Sequence, residues 1–176
     1  TGQAFQDGKA VGRSAQINYQ QHLATTGQLT LQQQPSPVYN AGGNTAIING
    51  ILGSNNKYGD KEWLGFSGDD FTAHLDVKAP KRLQRIQFRF FNAPGQWIYP
   101  PRSVELQLRT SPDGPAETIR AEVTGSQEKV IQVTVDLQGV SAQYLDINIP
   151  NFGIIPAGRQ GAGQTAWLFI DEIILH

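Results

Sequence analysis

Two adjacent carboxylates, Asp69 and Asp70, stand in "WLGFSGDDFTAHLDV" between a glycine-punctuated loop and a strictly alternating run. A glycosidase needs two carboxyl groups facing each other across one bond, roughly 5 to 10 Å apart. Consecutive residues at the start of a strand point to opposite faces, so these two do not converge on one sugar. The pair reads instead as a loop cap, with Asp69 accepting from nearby backbone amides. His22, His74 and His176 are far apart and lack HExxH or HxH spacing, and there is no cysteine, so neither a zinc hydrolase nor a cysteine nucleophile is supported. No GxSxG elbow and no glycine-rich phosphate loop with its lysine occurs either. No catalytic residue is expected.

Binding chemistry is better represented. Hard cations collect carbonyl and carboxylate oxygens from irregular loops, and "NTAIINGILGSNN" offers many, with the Asn49-Gly50 turn followed by Ser54, Asn55 and Asn56. Glu172 interrupts an otherwise apolar terminal run, "FIDEI". A carboxylate there either reaches solvent or, if buried, needs a cation or a cluster of amides. Sugars call for aromatic faces and planar polar groups. "NAPGQWIYPPR" supplies Trp97, Tyr99 and Arg102, "KYGDKEW" supplies Tyr58, Asp60 and Trp63, and "PAGRQGAGQ" supplies Arg159 and Gln164. The plain alternative is that the tryptophans fill a core, which is the preferred reading for Trp167 because it opens the last strand; for Trp97 and Tyr58 the two readings are balanced.

The elements that would position these residues have a period of two. In "FTAHLDV" Phe71, Ala73, Leu75 and Val77 face one way, in "RIQFRF" Ile86, Phe88 and Phe90, and in "VELQL" Val104, Leu106 and Leu108. "VIQVTVDL", "YLDINI" and "WLFIDEIIL" continue the series, while "KAPKR", "NAPG", "SPDG", "DLQG" and "PNFG" supply turn chemistry. Upstream, "AQINYQ" and "QLTLQQQ" read as two more strands, with a short helical turn near Ala46 to Ile48. Many short strands with no amphipathic helix predict an all-β jelly-roll sandwich.

With 176 residues and 39% hydrophobic content, one core is expected, over residues 22–176, preceded by an arm or the end of another domain at 1–21. A net charge of -1 with scattered Lys and Arg gives no stripe to track nucleic acid, and no apolar run is long enough to cross a membrane as a helix. A chain that starts at Thr1 and has no Met is expected to be a processed or excised part of something longer.

Four stretches, "PSPVYNAGGNTAIINGILGS", "WLGFSGDDFTAHLDV", "GQWIYPPRSVEL" and "IPAGRQGAGQTAWLFIDEI", together resemble one family from about His22 to Leu175. This is the discoidin-like, coagulation factor five/eight type C module at the C-terminus of bacterial chitobiase-like β-N-acetylhexosaminidases of glycoside hydrolase family 20. The resemblance implies a galactose-binding-domain-like jelly roll, related to family 32 carbohydrate-binding modules, with a structural calcium held near the start and end of the fold. Asn49-Gly50 and Glu172 occupy the matching places; the family pattern usually has Asp where Asn49 stands, and an amide oxygen coordinates without adding charge. The implied function is that of a noncatalytic accessory module of a secreted or periplasmic hydrolase. It would bind a glycan ending in galactose or N-acetylhexosamine through Trp97, Tyr99, Tyr58 and Arg159. The rival is a scaffold packing against the catalytic domain of the same parent chain, with no sugar bound.

Overall fold

A computed structural model describes residues 2–15, 17–125 and 127–176. Its strands are β1 (Gly2–Gln6), β2 (Lys9–Ala15), β3 (Gln28–Leu31), β4 (Leu64–Ser67), β5 (Phe71–Phe91), β6 (Ser103–Arg109), β7 (Glu117–Glu122), β8 (Val130–Ile149) and β9 (Trp167–Leu175). Short 3-10 turns lie at Leu23–Thr26, Pro37–Tyr39, Asn44–Ile48 and Pro94–Gln96. β1 and β2 form an antiparallel hairpin of their own, closed by Asp7 and Gly8 at positive φ, the backbone that a two-residue hairpin loop requires.

The two long strands organise everything else. β5 and β8, of 21 and 20 residues, pair along almost their whole length, and each passes through both layers of the fold. Their first and second halves belong to different sheets. The bends are built alike: Lys78 has φ +71 and its N–H bonds Asp76 Oδ1 at 2.7 Å, while Gln138 has φ +53, is followed by Gly139 at +76, and bonds Asp136 Oδ1 at 2.9 Å. An aspartate accepting from the amide two residues on is a turn device inserted into a strand. Thus "KAPKR" and "DLQG", expected to separate strands, bend continuous ones. "AQINYQ" also departs from expectation: residues 17–20 carry no strand, and Gln16 lies outside the described residues.

One layer runs β3, the first half of β5, the second half of β8, β6 and β7; the other runs β4, β9, the second half of β5 and the first half of β8. Between them lies one apolar core, to which the first sheet gives Phe71, Leu75, Leu106 and Ile147 and the second gives Phe66, Ile86, Phe88, Val133 and Ile170. The alternation in the sequence names these residues directly.

The second sheet is buried on its other face as well. Residues between the Asn44 turn and β4 fold over it, so Phe91 and Phe169 meet Trp63, with Tyr39, Tyr58 and Trp167 packed around them. Edge-to-face contacts dominate, among them Trp63 on Phe91 at 5.1 Å and Tyr39 on Phe169 at 4.8 Å, the geometry that aromatic quadrupoles favour. Trp63 is core, and Trp167 is half-buried beside it.

Candidate functional site

The loops joining β5 to β6 and β8 to β9 meet at one end of the sandwich. Proline-rich "YPPR" cannot join a ladder, so the chain leaves β5 through the Pro94–Gln96 turn and climbs towards Tyr99 and Arg102. Opposite, "PNFGIIPAGRQ" is held by Asn151: Asp70 Oδ1 accepts its backbone N–H at 2.7 Å, and its side-chain amide donates to the carbonyl of Asp69 at 3.3 Å. Both residues therefore hold a loop, Asp69 through its backbone carbonyl and Asp70 through its carboxylate, so the cap is Asp70 and not the expected Asp69, and its partner is distant in sequence.

Between these loops is a cavity of about 360 Å³ lined by Asn92, Pro94, Tyr99, Arg102, Phe152 and Arg159, among others. Tyr99 and Phe152 stack with centroids 4.8 Å apart and planes 25° from parallel. The Tyr99 hydroxyl donates to the carbonyl of Gln160 at 2.9 Å and ties the Arg159 loop down. Arg102 lies over the Phe152 ring at 4.7 Å, and Arg159 lies over Phe152 at 5.4 Å and Tyr99 at 6.0 Å. Planar cations on ring faces are held without losing their donors.

Of the four expected sugar-binding residues, only Tyr99 and Arg159 share this cavity. Tyr99 needs correction: it is 3% exposed, so its ring supports the site from beneath and offers no face to a sugar. Phe152, half-buried above it, takes the more exposed position. Tyr58 lines a neighbouring hollow of about 230 Å³, which shares Asn92 and Pro94 with the first. Its ring is braced by Phe91 and Phe169 at 5.5 and 5.3 Å. That hollow in turn shares Asn56 and Lys129 with a wider groove of about 750 Å³ beside Arg89 and Gln132. Trp97 is 41% exposed at φ +61, packed against the backbone of Gly161 and outside the lining of the cavity. Arg102, Phe152 and Lys129 complete the surface; an aromatic between Asn and Gly in "PNFG" was the one available signal for Phe152.

No protein-family model matches the chain, and no curated protein matches it. Among solved structures it is similar to a fucose-binding module of Streptococcus pneumoniae, with a TM-score of 0.54, 13% identity and 98% of both chains covered. It is also similar to chitosan-binding module 1 of a chitosanase/glucanase from Paenibacillus sp. IK-5, with a TM-score of 0.53, 12% identity, and 89% of this chain and 99% of that one covered. A fucolectin from serum of the striped bass Morone saxatilis matches at TM-score 0.51 and 16% identity over 88% of this chain, which spans 46% of that one. The chain has the galactose-binding-domain-like fold.

Calcium, expected at Asn49 and Glu172, requires a shell of oxygens. β9 carries one residue more than β5 between the pairs Phe88–Ile173 and Phe90–Ile170. This bulge buries the consecutive carboxylates Asp171 and Glu172. Glu172 Oε1 lies 3.0 Å from His22 Nε2 and accepts the Gly50 N–H at 3.2 Å. Asn49 Oδ1 accepts the Ile51 N–H at 2.7 Å, and its Nδ2 donates to Glu62 Oε2 at 2.8 Å. Calcium takes about six to eight oxygens. Here N–H donors meet Glu172 Oε1 and Asn49 Oδ1, Glu172 Oε2 and Asp171 Oδ1 are buried without a partner, and no group of three His, Asp or Glu able to hold a metal occurs among the described residues. Asn49 Oδ1 and Glu172 Oε1, both taken by N–H groups, do not form the oxygen shell that the ion needs.

Asp171 makes the second buried contact. Its Oδ2 accepts from Arg89 and from the Gly53 N–H at 2.7 Å, and Arg89 also donates to Asn55 Oδ1 at 2.6 Å. Burial pushes the Asp171 carboxyl up to about 7, against the opposing pull of Arg89 and Gly53. Burial likewise raises Glu172, opposed by His22 and the Gly50 amide. Both pairs are tethers: one fixes the His22 segment and Gly50 to the last strand, and the other fixes the Gly53–Asn55 loop that walls the wide groove.

Proposed function

We propose that this chain is a noncatalytic glycan-binding module and that the cavity between Arg102, Phe152 and Arg159 is where the sugar docks. The observation that carries the reading is the half-buried Phe152 ring, backed by Tyr99, flanked by two guanidiniums and set in loops at the open end of the sandwich. Aromatic faces beside planar donors are what a pyranose ring and its hydroxyls engage. The reading is supported by the fold's neighbours, which include a module that binds fucose and one that binds chitosan. The contiguous hollows beside Tyr58 and Lys129 give a bound glycan room to extend beyond one residue.

The resemblance supplies the finer part of the proposal: the module serves a chitobiase-like β-N-acetylhexosaminidase that works in the periplasm or outside the cell, and its own catalytic domain is its covalent partner. A glycan panel titrated calorimetrically against the folded chain tests the proposal. Binding that Phe152→Ala abolishes supports it. Silence across the panel overturns it in favour of a scaffold that packs on the catalytic domain.

A further inference from the structure

We propose that the glycan bound in this cavity is acidic: the group seated between Arg102 and Arg159 is a carboxylate or sulfate ester carried by a sugar. The inference rests on the binding role just proposed and names the ligand class of that site.

Three observations lead to it. Both guanidiniums are exposed, both lie over the Phe152 ring, and among the described residues neither has a carboxylate within ion-pair distance. Arg89 is paired with Asp171, Arg109 with Asp146, and Arg120 with Glu105 and Glu122, whereas Arg82 and Arg85 likewise have no ion pair among the described residues; what sets Arg102 and Arg159 apart is that they share one ring and one cavity. The chain carries a net charge of -1, so two cations without an acid in one cavity do not follow from a generally basic surface.

The second observation is the imbalance of donors and acceptors. Among the described residues no Asp or Glu lines the cavity, the Tyr99 hydroxyl is already committed to the Gln160 carbonyl, and the amide oxygens of Asn92 and Gln127 are the side-chain acceptors set against two guanidinium forks. A neutral sugar presents hydroxyls that both donate and accept, and its site normally answers with acceptors as well as donors. Carboxylate and sulfate oxygens only accept, and two guanidinium forks offer donors in the matching plane. The third is preorganisation. Stacking on an aromatic face fixes each fork before the ligand arrives, which reduces the entropy lost on binding.

The test is calorimetry of the whole chain against glycans in matched pairs. Members of a pair are identical except that one carries a hexuronate or sialic acid carboxylate, or a sulfate ester. The acidic member should bind about tenfold or more tightly, the worth of one charge-assisted hydrogen bond, and its affinity should fall with added salt. R102Q and R159Q should each remove that preference while lowering the thermal midpoint by only a few degrees, because each loses one exposed ring contact and no ion pair. R159K should restore only part of it, keeping the charge and losing the fork. Preference for a carboxylate in one pair and a sulfate in another separates the two anion sources. Equal affinity for both members of every pair, or a preference that survives both Gln variants, overturns the acidic assignment and leaves glycan binding standing. No binding to any member overturns both.

Discussion

Replacing Arg89 by Met removes a cation from beneath the loop at Gly53–Asn55 while keeping much of the apolar bulk. The Arg89 and Asp171 side chains are 5% and 0% exposed, so water cannot take over for the lost partner. Breaking a buried pair from one side costs about 3 to 5 kcal/mol, and the lost bond to Asn55 adds about 1 kcal/mol. Against the usual total of about 5 to 15 kcal/mol, that is a large fraction of the chain's stability. Asp171→Asn keeps an oxygen for the Gly53 N–H but leaves buried a guanidinium that cannot shed its charge, with only Asn55 and the Trp63 ring 5.7 Å away, at a cost of about 3 to 5 kcal/mol. With both changes made, no unpaired charge is left inside. The double mutant should therefore be more stable than the sum of the singles implies, by about 2 to 4 kcal/mol of coupling. Urea unfolding followed by tryptophan fluorescence measures all four forms. A buried acid whose folded value is raised to about 7 contributes stability that is full below its ordinary 3.8 and lost as the pH rises towards 7. Above that value the folded chain holds the carboxylate, so the coupling should be complete at about pH 8 and clearly smaller at about pH 5.5, where the folded chain holds the proton. Coupling below about 0.5 kcal/mol at the higher pH, or equal coupling at both, would refute the reasoning.

Phe152→Ala should weaken glycan binding about tenfold or more by calorimetry while costing only about 1 to 2 kcal/mol in stability, because the ring is half-buried. Chelation with EDTA should leave the thermal midpoint within about 2 °C, since N–H groups already take Asn49 Oδ1 and Glu172 Oε1; a larger drop restored by calcium alone would show a bound ion at the free Glu172 Oε2. Gly161→Val should destabilise by about 1 to 3 kcal/mol and shift tryptophan emission, because its φ is +81 and a Cβ there would run into the Trp97 indole; unchanged emission contradicts that packing. Burial disfavours an ionised Asp146, yet the hydrogen bonds from His74 and Arg109 hold its carboxyl below 3.8. Its contribution is thus present above that value and lost as the pH falls through the lowered one. Asp146→Asn should flatten the fall in thermal midpoint below about pH 4, and an unchanged acid limb would exclude the role.

Where one rule governs a residue, the sequence was enough. Every core position of "FTAHLDV" and "RIQFRF" follows from a period of two, because one face of each half of β5 lines the space between the sheets. Their continuity was hidden: Asp76 and Lys78 look like a turn in isolation, and only pairing with β8 on both sides makes them a bend. Arg89 shows a different limit. Alternation puts it away from the main core, correctly, but a second layer formed by residues more than thirty positions upstream buries it, as its bond to Asn55 shows. Asp171 and Glu172 break the period because the bulge inserts one residue, and no local pattern announces a bulge among apolar neighbours.

The binding loops were the least legible part, and the reason is physical. Tyr99 and Trp97 stand two residues apart in the same proline-flanked loop, yet one is buried and the other exposed. What separates them is a segment 61 residues away from Tyr99, whose Gln160 carbonyl takes the Tyr99 hydroxyl while Gly161 gives Trp97 a place to rest. Residue type shows that such a loop can meet a sugar, whereas the choice among its aromatics depends on how a distant loop closes over them. The two arginines are less sensitive to that closure, since a long side chain finds a ring face from several starting positions and keeps its charge in each. Charge selection at this site is therefore set more firmly than the recognition of any particular hydroxyl, which is why an acidic group, and not a named sugar, is the part of the ligand that the loops specify.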